Sequence, residues 1–291
     1  MFTALGLALG PIGIGLLDLN VDYEGLRSLA ELTLAPVLFT DASNANLGVL
    51  QSSIRIPRRL LLVGLPLTIL LGFGAGVLVF DDLGLLEIAI LATMLAPTDA
   101  ALGKALVTAE SVPSNIREGL NVESGLNDGI CVPILFVFLA LVAGTNPHDS
   151  TGALALHLLA EEIGIGVAVG ATVTMAGAWL LKVCGGRGWV TETWRQLPVV
   201  ALAMACFALA QTLGGSGFTA AFAGGLLFGW LAQAQKHSLL LAAEGTGDTL
   251  ALLTWVVFGA GAVGQAVGGF SWAIVLYALL SLTVIRMVPV A

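Results

Sequence analysis

Charge is what this sequence has least of. Charged residues make up 10% of its 291 residues, against about 25% in a soluble domain. Hydrophobic residues reach 57%, and the mean hydropathy is +0.98. That balance excludes a soluble globular protein. It also excludes a disordered chain, which lacks apolar side chains to bury. Cysteine is scarce too: Cys131, Cys184 and Cys206 stand far apart in or beside apolar runs. They form neither a disulfide framework nor a metal set and read as small core residues. His148, His157 and His237 are equally scattered. Glycine is abundant, at 37, but without the triplet period of a collagen. No phosphate-binding loop, basic tract or cofactor motif is present, and the net charge of −8 argues against nucleic acid as a partner. What remains is an all-α polytopic membrane protein.

Ten apolar runs are long enough, or nearly so, to cross a hydrocarbon core about 30 Å thick. They fall at about 1–17, 28–46, 59–80, 85–107, 116–143, 152–182, 195–213, 216–235, 247–265 and 270–291. The sixth is longer than a span needs and is expected to tilt or to begin in the interface. Turn residues fill the breaks: Asp81, Asp82 and Gly84, Gly144 to Pro147, Gly185-Gly186, Gly214-Gly215 and Gly268-Gly269. No linker sets off a soluble domain, so 1–291 reads as one transmembrane unit. The first run lacks the positive flank of a signal peptide.

The basic residues test the count. Arg55, Arg58 and Arg59 lie between runs 2 and 3, and Lys104 and Arg117 between runs 4 and 5. Lys182, Arg187 and Arg195 lie between runs 6 and 7, and Lys236 between runs 8 and 9. Arg27 alone falls on the opposite side, and Arg286 lies inside run 10. Such alternation would fail if a middle run were miscounted. The positive-inside rule makes loops 47–58, 104–117, 183–195 and 236–246 cytoplasmic, with both ends of the chain on that side. Run 1 opens Phe2-Thr3-Ala4 and run 8 carries Phe218-Thr219-Ala220, each leading into a glycine-rich stretch. Seven runs apart, the two point in opposite directions, as an inverted repeat of a secondary transporter requires.

A charge at the bilayer centre costs about 2.5–3.5 kcal/mol or more, so each intramembrane charge needs a reason. In run 4, Leu95-Ala96-Pro97-Thr98-Asp99-Ala100 places a proline with no N–H in a helix. The helix should open there and free carbonyl groups, which only protein, water or a cation can satisfy. Freed carbonyls beside Thr98 and Asp99 make an oxygen-rich setting for a hard cation. In run 5, Asn121-Val122-Glu123-Ser124-Gly125-Leu126-Asn127-Asp128-Gly129 puts Glu123, Ser124, Asn127 and Asp128 on one helical face. Asp128 lies about 18 Å into that run, near mid-membrane, where burial favours the neutral carboxyl. Arg286 should not be unpaired there. Glu123 is its expected partner, with Asp99 as rival. Asp41, within Phe39-Thr40-Asp41, either lines an ion path or snorkels to the surface. Glu161 and Glu162 read as solvated or interfacial.

The Ala96-Pro97-Thr98-Asp99-Ala100 and Asn121-to-Gly129 segments together resemble the signature of NhaP-type sodium/proton antiporters, in the monovalent cation:proton antiporter family. The likeness continues more weakly through Gly217–Phe222 and Ser281–Pro289, and so covers nearly the whole chain. It implies an inverted-repeat antiporter fold with an unwound helix at 96–100 and ion-binding core helices at 85–143. It implies exchange of one Na+, or Li+ or K+ in some relatives, for one H+, by an elevator-like homodimer. It implies Asp128, Asn127, Ser124, Thr98 and Asp99 as ion- and proton-binding residues, with Asp128, Ser124 and Thr98 holding Na+ transiently. It also implies a buried Glu123–Arg286 pair and no cofactor. Asn127 before Asp128 is the pattern that the family associates with electroneutral exchange, and the implied location is a bacterial inner membrane.

Two departures stand out. Some relatives use a glutamate on the third helix as a ligand; here that neighbourhood offers only Asp41. Family members also have about thirteen helices against the ten read here, so one is expected before Met1 and two beyond Ala291. The chain alone is then expected not to transport, although a complete parent would. Other classes fit less well. A sodium-coupled organic-anion transporter on a related fold conflicts with the acidity of Glu123 and Asp128. An intramembrane aspartyl protease would carry its acids in other contexts than Thr98-Asp99 and Asn127-Asp128. A channel would show a filter sequence or repeated rings.

Overall fold

A bilayer core offers backbone groups no water, so a spanning chain must be helical or close into a barrel. The computed structural model takes the first course. It describes residues 1–17, 23–45, 55–98, 111–143, 151–189, 191, 194, 197–233, 236–266, 269 and 271–289. Among these, the regular structure is all helix. The elements are α1 (Phe2–Leu9), α2 (Tyr23–Asn44), α3 (Arg55–Val79), α4 (Leu85–Met94), α5 (Ser114–Ala143) and α6 (Thr151–Gly186). They continue with α7 (Leu197–Thr212), α8 (Gly217–Leu231), α9 (Lys236–Phe258), α10 (Trp272–Leu282) and a last turn, α11 (Val284–Met287).

Each of the ten apolar runs contains a helix, but not each helix is a full span. Arg55–Val79, Val122–Val142, Ala160–Gly186 and Ser238–Val263 are long and apolar enough to cross a membrane. Leu85–Met94, Leu197–Thr212, Gly217–Leu231 and Trp272–Met287 are apolar but shorter. Run 1 is helical only to Leu9; Gly10 and Pro11 end it, and Ile14 N–H turns back to Ala8 O at 2.9 Å. Two starts come earlier than hydropathy indicates. α2 begins at Tyr23, stabilised by an i,i+4 pair of Arg27 Nε with Glu31 at 2.7 Å. α9 begins at Lys236, so the stretch 236–246, expected as a cytoplasmic loop, is helical. Hydropathy measures fitness for lipid, and a polar stretch can be helical without it. Glu161 and Glu162 are exposed, well inside α6.

Proline shapes two of these helices. Pro66 cannot donate to Leu62 O, and the preceding turn, Leu60–Gly64, widens into a π-helix, with Leu65 N–H reaching Leu60 O. Pro97 ends α4: the last helical residue is Met94, Leu95 N–H caps Leu91 O, and Ala96 N–H reaches Thr93 O at 3.4 Å. The expected opening is therefore present over Leu95–Thr98, while Asp99 and Ala100 lie outside the described residues.

The buried side chains fall into two clusters. One joins Phe39 of α2, Val169 of α6, Val199, Ala203 and Cys206 of α7, Ala220 and Phe228 of α8, and Leu240 of α9. α8 sits at its centre, and a Cβ at Gly225 or Gly229 would strike the backbone carbonyl of Phe39 or Ser43 on α2. Gly214, at φ +79°, makes the tight turn that returns the chain from α7 into α8. The other cluster joins Leu65 and Ile69 of α3, Ala92 of α4, Ala96 just beyond α4, and Cys131 of α5. Tyr277 of α10 is tied to it, donating its hydroxyl to Gly72 O at 3.1 Å. α5 also contacts α2, α6 and α8, so it forms the seam between the clusters.

Candidate ion-binding site

Opening α4 at Pro97 lets the chain turn its polar groups toward α5. Thr98 Oγ1 donates to the Glu123 carboxylate, lying 3.1 and 3.0 Å from its two oxygens. The same hydroxyl oxygen accepts from Asn127 Nδ2 at 2.5 Å. Asn127 Nδ2 also reaches Thr98 O at 3.0 Å, one of the backbone carbonyls outside any helix. A threonine hydroxyl has one hydrogen and two lone pairs, and here the hydrogen and one lone pair are both engaged. Asn127 is fully buried, which such an amide tolerates only when bonded on both ends. Its Oδ1 supplies the second end, accepting from Asp128 N–H at 2.6 Å.

The helical spacing read from the sequence thus brings Glu123 and Asn127 together on Thr98. Asp128, the next residue along α5, borders α2 and α8. It lines a small cleft with Leu38, Gly129, Val132, Pro133, Phe218, Thr219 and Phe222. Ser124 lies one turn before Asp128 on α5 and is half-buried. Asp41 is half-buried on α2, one turn beyond the cleft-lining Leu38. Asp99 is outside the described residues. Among the described residues, no group of three or more His, Cys, Asp or Glu could hold a metal ion. The oxygens gathered here belong to hydroxyl, amide and backbone groups, with single carboxylates among them.

Arg286 reaches the opened segment itself. Its charge and that of Glu123 attract each other without a direct ion-pair contact, and its Nη1 donates to Pro97 O at 3.3 Å. The two side chains therefore bind neighbouring residues of the opened segment, Arg286 the carbonyl of Pro97 and Glu123 the hydroxyl of Thr98. The physical reason is competition. A carbonyl freed by a broken helix needs a donor, and in a dry interior a guanidinium is a strong one. The chain bends just before Arg286, at Thr283 (φ −117°, ψ −92°), whose Oγ1 bonds back to Leu279 O at 2.6 Å.

Sequence reasoning missed the Pro97 carbonyl as an acceptor, although a proline that stops a helix leaves just such a group behind. It also missed the cleft lining from α2 and α8. Phe218-Thr219-Ala220-Ala221-Phe222 stood out only as a weak motif, because aromatic and small residues are common in membrane helices.

The sequence model of the family described as "Sodium/hydrogen exchanger, transmembrane" matches residues 1–291. Among curated proteins, the K+/H+ antiporter NhaP2 of Shewanella sp. (strain ANA-3) is 24% identical over 256 residues, covering 88% of this chain and 42% of that protein. A probable Na+/H+ antiporter of Schizosaccharomyces pombe is 26% identical over 241 residues, covering 79% of this chain and 31% of that protein. The chain therefore spans less than half the length of these relatives. The solved sodium/proton antiporter MjNhaP1 of Methanocaldococcus jannaschii superposes with a TM-score of 0.74, covering 99% of this chain and 70% of that one at 18% identity. That superposition establishes the antiporter fold for the helices described above. With the family match running from end to end, the chain belongs to the transmembrane sodium/hydrogen exchangers.

Proposed function

We propose that this chain forms the cation-exchanging part of a membrane antiporter that trades a monovalent cation for a proton. The observation that carries the reading is the opened end of α4 lying against the polar face of α5, with Thr98 bonded to both Glu123 and Asn127. Helices 85–143 would then be the ion-binding core. Asp128 alternates between a protonated carboxyl and a carboxylate that binds the cation. Ser124, Thr98 and Asp99 supply further oxygens, and Asn127 holds the loop carbonyl of Thr98 in place. The cation is substrate, held transiently by Asp128, Ser124 and Thr98. Glu123 and Arg286 fix the opened segment from two sides. Asp41 stands on the helix bordering the path.

Asn127 in place of a second acid beside Asp128 supports electroneutral exchange, in which one proton leaves as one cation enters. The acid-rich site disfavours an organic anion as cargo. The relatives named as K+/H+ and Na+/H+ antiporters make K+ and Na+ both substrates to test, with Li+ as a third. Two packing clusters meeting at α5 suit an elevator-like motion of one past the other within a homodimer, and a bacterial inner membrane is the proposed location, serving pH and sodium homeostasis. The test is cation-driven proton movement in proteoliposomes by the intact protein that contains this chain. The account predicts exchange that ignores a voltage clamp and falls to background in Asp128→Asn. Exchange that persists in Asp128→Asn would move the site elsewhere.

A further inference from the structure

The cleft beside Asp128 has one wall that the exchange reading leaves unexplained. A Cβ on Gly129 would overlap the ring of Phe222 at Cζ, Cε1 and Cε2. The backbone of α5 is thus notched at the residue directly after Asp128, and an aromatic ring from α8 fills the notch. The rest of the lining is mostly apolar: Leu38, Val132, Pro133 and Phe218, with Thr219 as a polar neighbour. An ion shedding its water against such a surface gains no ligand in return, so whatever holds the apolar wall shut also controls access. The two partners contribute to different packing clusters. α8 is the centre of the larger cluster, whereas α5 contributes Cys131 to the smaller one.

We infer that Phe222, seated in the Gly129 notch, is a positioning residue that closes the α8 side of the Asp128 cleft and fixes the register of α5 against α8. Movement of the two clusters past each other requires the ring to leave the notch, and its departure opens the cleft to water. The consequence for transport rests on the exchange reading; the closure itself does not.

Two measurements separate these levels. The first is labelling of Thr219→Cys by a charged, water-soluble thiol reagent, in a background with Cys131, Cys184 and Cys206 changed to alanine. Adding Phe222→Ala should raise the labelling rate several-fold, and Phe222→Leu should give an intermediate rate. An unchanged rate in both would overturn the inference whether or not the protein transports. The second measurement is steric rescue of exchange. Gly129→Ala should slow exchange by about tenfold, the lower range of what overpacking a close contact costs. Combining it with Phe222→Ala should return the rate to that of Phe222→Ala alone, which a general loss of stability would not do. No rescue by the second substitution would refute the notch. A parent protein with no exchange at all would sink the transport reading and leave the labelling result to decide the closure.

Discussion

The packed helices and the opened end of α4 satisfy their polar groups in different ways. Along the packed helices, buried hydroxyls mostly bond within their own helix: Thr40 Oγ1 to Pro36 O at 2.9 Å, Ser43 Oγ to Phe39 O at 2.6 Å, Thr68 Oγ1 to Gly64 O at 2.9 Å and Thr93 Oγ1 to Ala89 O at 2.8 Å. Bonds between these helices reinforce contacts that glycine packing already makes, as Ser43 Oγ does with Gly225 O at 2.9 Å. At the opened end of α4 the polar groups reach across helices to a segment with no ladder of its own. Thr98, Glu123, Asn127 and Arg286 hold the opening together between them. The lesson is that one region is fixed by shape and the other by a few bonds. A region held by few bonds has alternatives close in energy, as the proposed exchange of two different ions would require.

This contrast can be broken at several points. The largest effect is expected from Gly225→Val. The added side chain meets the Phe39 carbonyl and should cost about 1–3 kcal/mol or prevent folding. Thermal melting in detergent would show it as a marked fall in the midpoint, and an unchanged midpoint would mean that shape does not fix these packed helices. Next comes Thr98→Val, which keeps the volume but removes the hydroxyl that serves Glu123 and Asn127. It should cut exchange severely while costing about 1 kcal/mol of stability. Normal exchange in this variant would show that the opened segment needs no such anchor. A smaller effect is expected from pairing Glu123→Gln with Arg286→Gln in a double-mutant cycle. Because the two act through Pro97 and Thr98 with no direct ion pair, the coupling should stay under about 1 kcal/mol, well below that of a buried pair in contact. A coupling of about 3 kcal/mol would establish a direct pair. The smallest should be Thr33→Val, which loses a hydroxyl bond to Thr254 on α9. Bonds of this kind average about 0.6 kcal/mol in membranes, and exchange should be unaffected. A large transport defect there would erase the distinction between the regions.

Much of this was legible in the sequence, and the residues show why. Hydropathy found the ten helices because lipid selects composition, and it misplaced the starts of α2 and α9 because polar residues there are helical for other reasons. The break in α4 follows from the missing N–H of Pro97, and the meeting of Glu123 with Asn127 follows from i,i+4 spacing. Helical spacing cannot say which groups from other helices arrive. The Arg286 contact to the Pro97 carbonyl and the Phe222 ring at Gly129 depend on how α11 and α8 pack, and no local pattern encodes that.

The central claim is that one carboxylate, Asp128, holds either a proton or a cation. The direct measurement is proton release from the purified, weakly buffered protein when NaCl or KCl is added, with choline chloride as the control. The account predicts close to one proton released per protein on adding the transported cation, and none from Asp128→Asn. Cation binding without proton release, or equal release from Asp128→Asn, would contradict it.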